Sequence, residues 1–133
     1  MQTKSKIKRF EDLIVYQKAM VLTESIYKAT SYGPFSKDWG LRDQLRRASV
    51  SIISNIAEGY ERNSIPEYRR FLLIAKGSSG EVRAQLALAR NLGYLSHERA
   101  DNLIESCIEV TRMLGGLAFK LKGQGTKKGQ GTR

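Results

Sequence analysis

Cysteine, histidine and proline are scarce in this chain, and each scarcity excludes something. The one cysteine, Cys107, has no partner for an internal disulfide or a multi-cysteine metal site, and suits a reducing compartment. The one histidine, His97, rules out a His-pair metal centre and leaves little for His-dependent catalysis. Two prolines and 41% hydrophobic content do not describe a collagen-like or wholly disordered chain. No apolar run approaches the ~18–20 residues of a membrane span. Met1 to Arg9 are polar and basic, so no signal peptide is expected. The expectation is one cytoplasmic domain of 133 residues, with no membrane contact, no metal and no cofactor.

Positive charge is plentiful. The chain has 23 Lys+Arg against 13 Asp+Glu, a net +10, which points to an anionic partner. Its distribution is uneven. Residues 1–9 carry Lys4, Lys6, Lys8 and Arg9 and no acid; residues 122–133 carry Lys122, Lys127, Lys128 and Arg133 and no acid. The intervening body is left close to neutral, with 15 basic and 13 acidic side chains. We therefore divide the chain into a basic arm (1–9), a folded body (10–121) and a tail (122–133). The tail repeats Gly-Gln-Gly-Thr around Lys127-Lys128, has nothing apolar to bury, and is expected to be disordered. It is either a phosphate-contacting arm or a solubilising tail.

The body reads as four helices with no period-two alternation, hence all-α. The first spans about 12–31, with one stripe through Leu13, Tyr16, Met20 and Tyr27 and another through Val15, Leu22, Ile26 and Ala29. Gly33-Pro34 is expected to stop it. The second spans about 38–58, with a face of Leu41, Leu45, Ala48, Ile52 and Ile56, and Gly59 as its stop. Residues 48–57 contain no charge, which suggests a helix buried all round and therefore meeting another subunit. Arg46, Val50, Ile53 and Ala57 are the candidate oligomer interface, with nucleic-acid contact the alternative role for Arg46. Ser64, Pro66 and Glu67 signal the start of a third helix reaching about Leu92. Its core stripe is Tyr68, Leu72, Ala75, Ser79, Val82, Leu86 and Ala89. Ser96 caps a fourth, whose stripe runs through Ala100, Leu103, Cys107, Val110, Leu114, Leu117 and Leu121. Short links between long helices predict an antiparallel up-down-up-down four-helix bundle.

Three constellations bear on function. Arg62, Arg69, Lys76, Arg83 and Arg90 are spaced seven apart, and a helix drifts only ~20° per heptad, so they share one slowly winding stripe. Such a ladder fits a phosphate backbone or an acidic partner; the alternative is a solvated face balanced by acids such as Glu58 and Glu81. Asn55 and Glu58 have no nucleophile or second acid evident beside them, so they read as structural polar groups rather than a catalytic pair. Gly77-Ser78-Ser79-Gly80 lacks the Gly-Lys-Ser/Thr signature and a preceding strand. It reads as a flat spot for a closely approaching helix, with Gly115-Gly116 as the candidate matching spot, or as a local break. Tyr16, Tyr27, Tyr68 and Phe71 read as core or interface, not as a base-stacking platform. No catalytic residue is assigned.

Particular residues also carry a family resemblance. They are Phe10-Glu11-Asp12-Leu13 with Val15-Tyr16-Gln17 and Ala19; Gln44 with Arg46-Arg47-Ala48; and Ser51-Ile52 with Asn55-Ile56-Ala57-Glu58-Gly59. Further on come Arg62, Phe71-Leu72, Ala75, Gly77-Ser78, Glu81 and Leu92-Gly93-Tyr94-Leu95. Together they resemble the bacterial four helix bundle protein family, which includes proteins encoded in intervening sequences of large-subunit ribosomal RNA genes. Tyr16 stands where that family usually has Trp. The resemblance implies an antiparallel bundle assembled as a ring-shaped homopentamer. It also implies kinship with the accessory variability proteins of diversity-generating retroelements, which bind a reverse transcriptase and nucleic acid. The resulting expectation is a non-enzymatic, oligomeric RNA- or DNA-binding accessory protein, with a reverse transcriptase as a further partner. Its candidate contacts are Arg62, Arg69, Lys76, Arg83, Arg90, Lys127 and Lys128. The alternative is a protein-interaction scaffold encoded with ribosomal RNA genes.

Overall fold

The computed structural model describes residues 6–124. Lys127 and Lys128, and with them most of the expected disordered tail, lie outside the described residues. The described part is entirely helical: a 3-10 turn at Phe10–Asp12, then α1 (Ile14–Ala29), α2 (Gly33–Lys37), α3 (Trp39–Glu61), α4 (Ile65–Asn91) and α5 (His97–Leu121). The four long helices form a helical bundle in which α1 and α4 each pack against both α3 and α5.

Each boundary has a local cause. The first helix starts two residues later than the apolar pattern suggests, because the Asp12 carboxylate accepts hydrogen bonds from the Lys8 and Arg9 N–H groups (2.9 and 3.3 Å) and folds the chain into the 3-10 turn. Those bonds, the Lys8 one foremost, hold the Asp12 carboxyl below its ordinary pKa. Ile7 and Phe10 consequently pack against the core. Gly33-Pro34 does not simply end the first helix. Gly33, at φ 63°, turns the chain directly into α2, which fully buries Phe35 against Tyr94 (ring centroids 5.2 Å apart). Asp38 caps α3, accepting from Leu41 N at 3.1 Å, and Ser64 caps α4, accepting from Glu67 N at 3.2 Å. At the far end of α4 the Tyr94 N–H donates to Ala89 O and the Gly93 N–H to Arg90 O, with Gly93 at φ 78°. This is the six-to-one and five-to-two closure that a glycine beyond the C-cap permits.

Gly59 behaves differently from the expected stop. It has no positive φ, and α3 continues through it to Glu61. A Cβ built there would lie 2.6 Å from Phe71 Cβ and 3.3 Å from Tyr68 O, so Gly59 is where the end of α3 presses on the start of α4. Beyond it, Tyr60 is buried edge-to-face against Tyr68, with centroids 5.8 Å apart.

The predicted α4 stripe is buried at all seven positions. On α5 the stripe is buried except at half-buried Leu117, and Ala118 takes the inward place beside it. On α1 the stripe through Val15, Leu22, Ile26 and Ala29 faces the core, whereas Tyr27 stays 40% exposed. Residues 48–57 are not buried all round within one chain: Ala48, Ser49, Ile52 and Ile56 are buried, while Val50 and Ser54 are exposed.

Polar groups pin the helices in register at mid-height. Ser78 Oγ lies 2.8 Å from Ser51 Oγ on α3, and its neighbour Ser79 reaches the other way, 2.7 Å from Thr111 Oγ1 on α5. Thr23 on α1 donates to Ser49 O on α3 at 3.2 Å. The Gly77–Gly80 segment is therefore continuous helix tied to two neighbours, not a break.

Candidate nucleic-acid interface

Four of the heptad-spaced cations, Arg69, Lys76, Arg83 and Arg90, lie along the seam between α4 and α5. Arg69 Nε donates to Ala118 O at 3.1 Å, close to the C-terminal end of α5. The stem of Lys76 crosses Gly115, with its Cε 3.5 Å from where a Cβ would stand. Gly115 thus accommodates a lysine chain rather than a helix. Arg83 lies near enough to Cys107 to act on its thiol, and Arg90 Nη1 pairs with Asp101 Oδ1 at 2.7 Å. As residue numbers rise along α4 from 69 to 90, those of the α5 partners fall from 118 to 101, so the two helices run in opposite directions.

The five cations are not equivalent. Arg62, before α4, pairs with Glu58 at 2.9 Å and Glu67 at 3.8 Å, and its guanidinium sits 4.8 Å from the Phe71 ring centroid. Arg70 covers the same ring at 4.6 Å and also pairs with Glu67. Its hydrogen bond, with the charge of Arg62, holds the Glu67 carboxyl below the ordinary carboxylate range. Both ends of the ladder, Arg62 and Arg90, are therefore neutralised locally. In the middle, Lys76 and Arg83 are exposed, and among the described residues neither has a carboxylate within 4 Å. Glu81, the acid that spacing offered as a partner, lies in a groove with Gln44, Arg47 and Gln85 between α3 and α4.

Arg46, Asn55, Glu58 and Cys107 make contacts within the protomer. Arg46 Nε donates to Thr30 Oγ1 at 2.8 Å, and its guanidinium lies 4.5 Å from the Tyr27 ring centroid, so it closes the C-terminal end of α1 where the helix dipole favours a cation. Of the residues grouped with it, Val50 is exposed and Ile53 and Ala57 are half-buried. Asn55 donates to Ser51 O and Oγ at 2.8 and 3.0 Å, and through Ser51 it joins the link to Ser78 on α4. Glu58 holds Arg62. Cys107 is fully buried and donates to Ser79 O at 3.1 Å. Burial pushes its thiol up to about 11, against the smaller opposing effect of Arg83. Among the described residues there is no cluster of His, Cys, Asp and Glu that could hold a metal ion, and no helix long and apolar enough to cross a membrane.

Two features of the seam were not singled out by sequence reasoning. Phe119 on α5 is 72% exposed, one residue beyond the carbonyl that Arg69 holds. Arg112, seven residues earlier, is exposed on the same face of α5. The sequence signal was available: both residues fall outside the apolar stripe of α5.

The molecule is thus a helical bundle with a cationic seam. A family model for the 23S rRNA-intervening sequence protein matches residues 11–116, and the chain belongs to that family. Its fold is similar to a 1.70 Å crystal structure of a protein of unknown function from the S23 ribosomal protein family of Bacteroides thetaiotaomicron. The two share 22% identity and a TM-score of 0.73, over 79% of this chain and 98% of that one. No curated protein matches the chain.

Proposed function

We propose that this chain is a non-enzymatic, oligomeric nucleic-acid-binding protein of the cytoplasm, and that it meets phosphates along the α4–α5 seam. The observation that carries this reading is the pair Lys76 and Arg83, exposed and without a carboxylate partner among the described residues, in line with Arg69. Cations held in a row without counter-charges are mildly unfavourable for folding and suit a phosphate backbone. The family's description ties these proteins to 23S rRNA intervening sequences, so RNA is the first ligand to test. Oligomerisation would multiply the seam and give multivalent contact.

The opposite chain directions of α4 and α5 support the up-down-up-down topology. A homo-oligomer, the pentamer of the family resemblance, is supported by apolar side chains left exposed on the single chain. Val50 stands out on α3, and Leu73, Ile74 and Leu88 are 40%, 40% and 47% exposed on α4. The same surface favours a second reading, a scaffold whose partner is a protein such as a reverse transcriptase. Pull-down with and without nuclease separates the two readings.

The direct test is the salt dependence of RNA binding. Affinity should fall steeply with salt, and Lys76→Gln with Arg83→Gln should each reduce the slope by about 0.7–0.9 while leaving the oligomer intact. Affinity that is flat with salt, or unchanged in the double variant, would end the seam reading.

A further inference from the structure

Resting on the phosphate-binding reading above, we infer that the seam takes an unpaired strand rather than a duplex, with a base stacked on the exposed ring of Phe119. Phe119 has the highest exposure of any large hydrophobic side chain among the described residues, at 72%. A bare phenyl ring in water has no evident role in folding the protomer. Its surroundings are cationic. It follows Ala118, whose carbonyl holds Arg69, and it lies one helical turn beyond Gly115, over which Lys76 is laid. Arg112 precedes it on the same face, and exposed Lys122 follows it.

An aromatic face beside a line of cations is what sequence-tolerant binding of single strands uses: the cations track phosphates, and every base offers a π-face to the ring. A duplex has its bases stacked within it and cannot use the ring. From Arg69 to Arg83 the seam covers ~21 Å of helix at 1.5 Å per residue, room for on the order of six nucleotides at 3.4 Å spacing. The ring sits at the Arg69 end of this track.

The test compares labelled single strands of about 12 nucleotides, RNA and DNA, with the matching duplexes, a length that covers the track with some excess. Phe119→Leu keeps the apolar bulk and removes the π-face. It should weaken binding to the single strand ~5-fold or more and collapse the preference over duplex. Phe119→Trp should retain that preference. In a Trp39→Phe background the introduced indole should lose fluorescence when the strand binds. RNA and DNA strands behaving alike would support stacking, because it does not depend on the sugar.

The inference falls if Phe119→Leu binds the single strand as the parent protein does, or if it loses strand and duplex in parallel. It also falls if Phe119→Leu changes the oligomer's mass in sedimentation, since the ring then belongs to a protein contact. Failure of the underlying reading is distinguishable: there Lys76→Gln with Arg83→Gln leaves all binding unchanged, whereas here that variant weakens binding and Phe119→Leu does not.

Discussion

The guanidinium of Arg90 meets the carboxylate of Asp101 at 2.7 Å, so the last step of the heptad ladder is already neutralised within the protomer. Arg90→Gln should therefore weaken RNA binding less than Lys76→Gln or Arg83→Gln does. Asp101→Asn should act in the opposite sense. It releases Arg90 to the seam, raises affinity and steepens the salt slope by up to about 0.9. Both partners are partly exposed, at 29% and 58%, so either change should move stability by less than ~1 kcal/mol. Binding titrations over a salt series measure the slopes, and an unchanged slope in Asp101→Asn would place Arg90 outside the binding track.

Gly59 and Phe71 set a second expectation. In an open helical position, Gly→Ala stabilises by about 0.5–1 kcal/mol. At Gly59 the added methyl would lie 2.6 Å from Phe71 Cβ and 3.3 Å from a backbone oxygen, neither of which is the free end of a flexible side chain. Gly59→Ala should destabilise by about 1–3 kcal/mol, the range for overpacking a tight contact. Urea unfolding followed by helical circular dichroism reads the change, and a stabilised variant would show that α3 and α4 separate there at little cost.

The long helices were legible in the sequence because apolar spacing, caps and breakers agreed. The Ser64 and Ser96 caps, the Gly93 stop and the complete α4 stripe all stand as read. What was not legible depended on three-dimensional proximity. Gly59 looks like a helix stop locally and is instead a contact glycine, because what constrains it is Phe71 on the next helix. Glu67 marks the start of α4 as read, but its carboxylate pairs with Arg70 and Arg62, which its place in the start signal does not reveal. The ladder's spacing was plain, but its division into paired ends and a bare middle depends on Asp101, eleven residues beyond Arg90 and on another helix. The uncharged run at 48–57 gave the faces of α3 but not the exposure of Val50 and Ser54, since lack of charge does not measure coverage by neighbours.

Gly77 and Gly80 provide the converse of Gly59. Both are helical, neither has a positive φ, and a Cβ at either would meet nothing within 4 Å. On the protomer alone, Gly77→Ala and Gly80→Ala should each add about 0.5–1 kcal/mol by restricting the unfolded chain and favouring helix. Thermal unfolding would register an upward shift of several degrees for the pair. If the pair instead lowers the melting temperature or reduces the oligomer's mass in sedimentation, another chain packs closely on this face of α4. The stretch of Ile74, Gly77 and Gly80 would then be an assembly contact.

Cys107 gives the protein an alkaline limit. Its thiol is fully buried, and burial raises its pKa from an ordinary 9.0 to about 11. The folded state thus holds this proton more tightly than the unfolded chain does. The associated stability is fully present below pH 9 and is lost as pH rises towards 11, because the unfolded chain ionises first. A gap of this size corresponds to a loss on the order of 2 kcal/mol across that window. Cys107→Ser keeps a donor for Ser79 O but removes the titration, so its stability should fall less steeply over the same interval. Tyrosine and lysine ionisation affect both proteins alike, and the difference between their urea midpoints isolates the thiol. The same burial should keep Cys107 unreactive towards iodoacetamide until the bundle unfolds. Equal alkaline slopes in the two proteins, or rapid alkylation under native conditions, would mean that the α4–α5 contact opens readily around Ser79 and Thr111.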